Sequence, residues 1–376
     1  MIKSLKVEGL NNRIDADLEF NEDLNIITGK NGSGKTTLLK LLWYLISGNL
    51  ERIIPQIPFQ SVSITTDSFS LSLVKEKSDE ILIISKFLGE EESVEKADVE
   101  MVDLVFVDLS SPIARTTKKS LFFPTFRRIE GGFHEGSLIS FTETDMPQLQ
   151  EALSKLSDEL SNYHHKFIAS ISTNDIGQLL EQKYGDIHIR ISNLQSKVLD
   201  DISQKIQVPA GGELDSATSQ TAPSVLNEIQ QLADERDRLR RPFVALSELT
   251  QSILRYQAIR VSGRNALGEG TDGITLGEAF GETALDTVGE AIASDKLSSG
   301  EKQMLSFLCY NAFSENTAIF IDEPELSLHV DWQRLLLPTL LEQGTGNQFF
   351  IATHSPFIYA KYPDKELPLG DDGGAN

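Results

Sequence analysis

The chain has 376 residues, 40% of them apolar and 24% charged, a balance that predicts a folded globular protein and excludes wholesale disorder. With 34 basic residues against 56 acidic ones the net charge is −22, which repels nucleic acid at long range unless basic side chains cluster locally. The length favours one large domain with an insertion, or two modest domains, and the lone Cys309 excludes internal disulfides and zinc sites built from paired cysteines. No apolar run approaches the roughly 20 residues that cross a bilayer, and no signal-peptide zones open the sequence, so a cytoplasmic protein without a membrane partner is expected.

Residues 2–8 and 13–20 alternate apolar and polar around Asn11-Asn12 and predict a β-hairpin at a sheet edge. Leu24 to Thr28 predicts a buried strand, and the apolar spacing from Lys35 to Ser47, closed by Gly48, predicts a helix. Between them stands Gly29-Lys30-Asn31-Gly32-Ser33-Gly34-Lys35-Thr36, a full G-x-x-x-x-G-K-[ST] match in the strand-loop-helix context that the chemistry requires. The glycines let backbone N–H groups turn inward on phosphates, and the helix presents its positive dipole end. Lys35 is placed to reach the β and γ phosphates and Thr36 to offer its hydroxyl to Mg²⁺, while Gly29, Asn31, Gly32, Ser33, Gly34 and Thr37 complete the expected cradle. Arg13, at the end of the hairpin, is placed beside the nucleotide base or phosphates.

Segments 60–66, 69–75 and 80–87 predict strands of an antiparallel sheet beside the main one, 102–109 predicts a further strand, and acidic Glu90 to Asp103 reads as a surface loop or exposed helix. The string from Leu121 to Arg128 admits two readings: a buried Phe cluster with surface arginines, or Phe126-Arg127-Arg128 reaching nucleotide or a partner. From about 146 to 260 the spacing of residues such as Ile191, Leu194, Val198, Ile202 and Ile206 predicts long polar helices, with Val208 to Pro223 as a flexible tip. Each arm would reach on the order of 50 Å at the usual helical rise. Arg236, Arg238, Arg240 and Arg241 alternate with acids and read as a solvated, ion-paired helix face.

Core-type segments return after the Gly-rich stretch 263–281: a helix near Ser299, strands at 317–321 and 347–352, and a helix at 329–343. Ala318-Ile319-Phe320-Ile321-Asp322-Glu323 predicts an apolar strand that delivers two carboxylates, Asp322 to hold the Mg²⁺ water shell and Glu323 to orient or deprotonate an attacking water. Strand alternation is expected to point the two differently. Leu297-Ser298-Ser299-Gly300-Glu301-Lys302-Gln303 precedes that strand; alone it is a helix cap.

Taken in this order, the three motifs resemble those of ABC-type ATPases. The resemblance implies that Ser298, Ser299, Gly300 and Glu301, at a helix N-terminus, bind the γ-phosphate of ATP held by a second copy, so that a complete site needs two. Pro324-Glu325-Leu326-Ser327-Leu328-His329 resembles the D-loop that crosses the dimer seam, and Thr353-His354-Ser355-Pro356 resembles the switch segment, with His354 on the γ-phosphate. Glu323, His354 and Lys35 are the implied catalytic residues, Thr36 and Asp322 the implied metal ligands, and ATP and Mg²⁺ the cofactors. Gln60, Gln148 and Gln150 all stay open for the glutamine loop.

The implied fold class is α/β: an ABC-type P-loop NTPase head, with a mixed sheet plus an antiparallel subsheet, carrying an inserted helical or short coiled-coil arm. Residues 1–145 and 263–362 would form the head, 146–262 the arms and 363–376 a disordered tail. Halves split around arms resemble the RecF, Rad50 and SMC branch, though one cysteine cannot build a Rad50 hook, SMC coils are longer, and the nuclease domain of OLD proteins has no room after His354. Within that branch the chain is similar to stand-alone AAA_15/AAA_21-type ATPases of the PARIS and Septu anti-phage systems. That implies an ATP-hydrolysing homodimer, assembling into a higher homo-oligomer, that controls a separately encoded nuclease effector. The alternative is a RecF-like repair ATPase that binds DNA directly, which the charge disfavours; a chain using ATP only as assembly glue would not need Glu323 and His354.

Overall fold

The computed structural model describes residues 1–76, 80–99, 101–125, 146–169, 173–206, 214–254 and 298–370. It packs as two units, Met1–Ile171 with Ser314–Asn376, and Ser172–Phe313.

The first unit is built on two sheets. In the antiparallel one, β1 (Ile2–Leu10) lies between the edge strand β2 (Ile14–Glu19) and β4 (Ser61–Thr66), followed by β5 (Phe69–Lys75), β6 (Glu80–Phe87) and β7 (Ser93–Asp98). The hairpin at 11–12 closes because Asn11 and Asn12 both adopt left-handed backbone (φ 51° and 61°), which asparagine tolerates. The second sheet has the order β12 (Glu366–Pro368), β3 (Leu24–Thr28), β11 (Gln348–Ala352), β10 (Ala318–Asp322), β8 (Ser120–Phe123), β9 (His165–Phe167), and every pair in it is parallel. Its central strands are buried along their whole length, which is why they read as continuous apolar runs.

Helix α1 (Lys35–Ser47) is buried from Leu41 to its end and packs into one core with residues of both sheets, Trp43, Phe122 and Phe320 among them. Gly48 ends it in left-handed backbone, where a Cβ would come within 2.3 Å of the Ser110 carbonyl oxygen. Gln348 ties the sheets together: its amide accepts from the Ile2 N–H (3.0 Å) and donates to the Ile2 carbonyl (2.8 Å). Helices α2 (Ile53–Gln56), α3 (Val102–Thr116), α4 (Met146–Leu160), α8 (Val330–Glu342) and α9 (Pro356–Tyr359) complete this unit. His165 is buried against Ser120, Thr117 and the Ala114 carbonyl, and burial pushes its imidazole down to about 4.

Three expectations are corrected here. Residues 102–109 are the first turns of α3, not a strand: Val102, Phe106, Leu109 and Ile113 recur at helical spacing and are buried, whereas Leu104 and Val107 are 65% and 69% exposed. The acidic stretch before them is no loop or helix through 93–98, because β7 pairs with β6 there as an exposed edge. Of the tip expected at 208–223, residues 214–223 are helical; 208–213 and the tail beyond 370 lie outside the described residues.

The second unit contains α5 (Thr173–Ile206), α6 (Leu214–Leu254) and α7 (Ser299–Ala312). Ile176, Leu180, Ile191, Leu239, Phe243 and Leu246 are buried, and Phe243 meets Tyr184 edge-on at 6.1 Å and Phe313 at 4.7 Å. Arg236 pairs with Asp237 and Arg238 with Glu235, the ion-paired helix face expected. Cys309 is buried in α7, which holds its thiol protonated by pushing its pKa up. Among the described residues no helix is long and apolar enough to cross a membrane.

Candidate functional site

The parallel register aligns the C-terminal ends of β8, β10, β11 and β3, with Ile321 opposite Phe123, Asp322 opposite Ala352, and Ala352 opposite Ile27. Loops leaving these ends gather on one edge of the sheet, where α/β folds place their ligands. The loop after β3 is the glycine-rich segment. Gly29 (φ 146°) must be glycine: a Cβ there would stand 2.4 Å from the carbonyl oxygen of Leu369 and 2.7 Å from Ser33 Oγ. Gly34 then caps α1 in left-handed backbone and brings no side chain to bond the N–H groups of the first turn, which leaves the positive end of the helix to an anion.

Lys35 is buried, and its ammonium folds back to donate to the carbonyls of Gly29 (2.9 Å) and Lys30 (3.1 Å). Arg13 donates to the Gly32 carbonyl, and Asn11 donates to Thr37 Oγ1 at 3.2 Å, so the hairpin braces the loop from the side. A cavity of about 630 Å³ opens between Arg13, Asp15, Asp17, Lys30, Ser33 and Gly370. Among the described residues Ser33 Oγ is buried without a partner, an orphan donor within the glycine-rich loop.

Thr36 donates to Asp322 Oδ1 (2.9 Å), and Thr125, two residues past β8, donates to Asp322 Oδ2 (2.5 Å). Burial raises the Asp322 carboxyl above its ordinary 3.8; the two hydroxyls oppose that shift and neighbouring Glu323 adds to it. Glu323 lies beyond the strand in left-handed backbone (φ 47°), anchored by its N–H to the Ala352 carbonyl at 2.8 Å. Glu323 thus stands just past the strand end in a backbone conformation that is costly for a non-glycine residue. His354 follows β11, with Nδ1 3.0 Å from Glu325 Oε1.

The first unit thus brings together Arg13, Ser33, Lys35, Thr36, Thr37 and Asp322 of the expected site, with Glu323 and His354 on the same sheet edge. Ser298, Ser299, Gly300 and Glu301 belong to the second unit. There Ser298 caps α7 reciprocally: its Oγ accepts from Glu301 N–H (3.3 Å), and Glu301 accepts from Ser298 N–H (2.7 Å). Ser298 and Ser299 are exposed. Leu297, Phe126, Arg127 and Arg128 lie outside the described residues. Sequence reasoning held Thr125 only within the open string from Leu121 to Arg128 and Glu325 only within the D-loop-like segment, and assigned neither its contact with Asp322 or His354; the signal for Thr125 was a polar residue just beyond a strand buried at all four positions.

The donor set fits a nucleotide with its magnesium ion: an orphan serine hydroxyl and a free helix N-terminus for phosphate, and a threonine hydroxyl beside a carboxylate for a hydrated hard cation. No cluster of three or more His, Cys, Asp or Glu side chains able to hold a metal occurs among the described residues.

Residues 1–184 match the family model described as AAA ATPase domain, and residues 178–360 match the one described as AAA domain, putative AbiEii toxin, Type IV TA system. Over 74 residues, 18% of the chain, the sequence is 41% identical to Endonuclease GajA of Bacillus cereus (strain VD045). Over 64 residues, 17% of the chain, it is 38% identical to Septu protein PtuA of Bacillus thuringiensis. These stretches span 13% and 16% of the two relatives' lengths. Among solved structures, the Smc head bound to the C-terminal winged-helix domain of ScpA aligns over 96% of this chain and 91% of its own, at 12% identity and a TM-score of 0.38. The recombination mediator RecF with ATP aligns over 94% and 92%, at 13% identity and a TM-score of 0.34. At those TM-scores the likeness carries no weight, and the strand order alone defines the fold.

Proposed function

With AAA domains matched across both halves, the chain is an ATPase of the AAA/ABC type, and we propose that it hydrolyses ATP between two copies of itself to control a separately encoded nuclease. The observation that carries this reading is the joining of the phosphate loop to the acidic strand by the Thr36–Asp322 hydrogen bond, with Lys35 buried beside it. Backbone N–H groups of the loop and the Lys35 ammonium hold the β and γ phosphates once Lys35 exchanges its two carbonyl partners for phosphate oxygens. Thr36 and Asp322 would hold Mg²⁺, which when bound offsets phosphate charge. Glu323 orients the attacking water and accepts its proton, His354 meets the γ-phosphate, and Ser299 with the start of α7 reaches the triphosphate of the other copy.

Control of a nuclease by this chain is supported by the two short matches, one of them to a protein named an endonuclease. The composite site is tested by light scattering with ATP. Glu323→Gln is expected to trap a dimer, and Ser299→Arg to block it while leaving nucleotide binding intact. Monomers alone in the first variant, or an unchanged ATPase rate in the second, would refute the shared site. Purification from the native operon with no bound neighbour would count against control of an effector.

A further inference from the structure

We propose that Glu325 is a positioning residue for His354, fixing the tautomer and direction of the imidazole that faces the γ-phosphate. This rests on the role given to His354 above. Glu325 lies in the turn after β10, and its side chain is 5% exposed against 41% for His354. One carboxylate oxygen, Oε1, accepts from the backbone N–H of His354 at 2.8 Å and stands 3.0 Å from its Nδ1. A carboxylate only accepts, so the ring nitrogen that meets it carries the proton. Nδ1–H then points to Glu325, and Nε2, on the far side of a ring that is partly exposed, has no hydrogen-bond partner among the described residues.

A second brace makes the arrangement rigid. The Gln333 amide donates to the carbonyls of Glu325 (3.3 Å) and Leu328 (2.8 Å) and accepts from the Ser355 hydroxyl at 2.6 Å. The Ser355 N–H in turn donates to Thr353 Oγ1 at 3.0 Å. The turns after β10 and β11 are thus tied together on either side of His354. Burying a carboxylate costs more than burying an amide of the same shape, and Glu325 Oε2 has no partner among the described residues. A turn that needed only mechanical support would be served by glutamine, so the charged acceptor points to the imidazole it holds. A group held through an oriented partner transmits small losses of geometry directly into turnover.

The test uses Glu325→Ala and Glu325→Gln in the full chain, each also in a His354→Ala background. Three quantities are read: ATP turnover, affinity for a fluorescent ATP analogue, and the His354 tautomer by nitrogen-15 NMR of histidine-labelled protein. Glu325→Ala is expected to lower kcat by about ten- to a hundred-fold with nucleotide affinity held within about two-fold. Glu325→Gln, which keeps an acceptor, should restore part of the loss, and neither change should lower turnover further once His354 is gone. The Nδ1–H signal of His354 should disappear in Glu325→Ala. An equal fold-loss with and without His354, or an unaltered Nδ1–H signal, would overturn the proposal. Wild-type turnover in His354→Ala alone would instead remove the role given to His354, while the tautomer signal still decides the pairing with Glu325.

Discussion

At the scale of single residues, Asp322 shows the conflict between stability and chemistry most clearly. Its carboxyl is raised by burial, so the folded state is penalised for carrying the charge. The sign follows from linkage: stability is fullest below the ordinary value of 3.8 and is lost as pH rises through the higher folded value. Asp322→Asn should therefore raise the melting temperature at pH 7 in EDTA by the equivalent of about 1 kcal/mol, and the gain should shrink toward pH 4. The same variant should lose magnesium-dependent nucleotide binding. A melting temperature that falls at pH 7 would mean that the two threonine hydroxyls outweigh desolvation. Lys35→Ala should abolish binding of the fluorescent analogue, since the loop then loses its buried cation. Lys35, Thr36 and Asp322 were legible in the sequence because phosphate chemistry fixes both their types and their spacing. Thr125 was not, because a threonine beyond a strand has no pattern until the neighbouring strand is known.

At the scale of elements, α1 and the central parallel strands were legible because burial writes itself as runs dominated by apolar residues. α3 was misread because Val102, Leu104 and Phe106 alternate over the very residues where helical spacing also holds, and only packing decides between the two periods. β7 escaped notice because an edge strand exposed at nearly every position keeps charged residues that suit a loop equally well. The packing of α3 also sets a prediction. Gly48 meets the Ser110 carbonyl, so Gly48→Ala adds a steric clash to the cost of left-handed backbone. A loss of about 2–4 kcal/mol in chemical denaturation is expected; a loss under about 1 kcal/mol would mean that α3 slides freely over the end of α1.

At the scale of the whole molecule, the net charge of −22 acts on association. Two like-charged copies repel at long range, and salt shortens that repulsion to a Debye length of about 10 Å at 0.1 M. The ATP-bound dimer fraction of Glu323→Gln, followed by light scattering, should therefore rise as salt increases from about 20 to 150 mM. A falling fraction would show that ion pairs across the seam outweigh the net repulsion. The change in hydrophobic period put the helical excursion at 146–262, whereas the second unit runs from Ser172 to Phe313. The assignment of α7 to the unit of the long helices was not legible, because its buried face, Met304 to Cys309, reads like any core helix.

Trp43 sits wholly buried on the helix whose first turn faces the phosphate loop, its indole N–H held by Ser120 at 3.0 Å and its rings packed on Phe122 and Phe167. The chain has 2 tryptophans, and the other, Trp332, lies on α8. Replacing Trp332 with phenylalanine leaves a single tryptophan on the helix of the cradle, whose emission is excited apart from that of the 7 tyrosines, an optical gauge of ligand arrival that needs no attached dye.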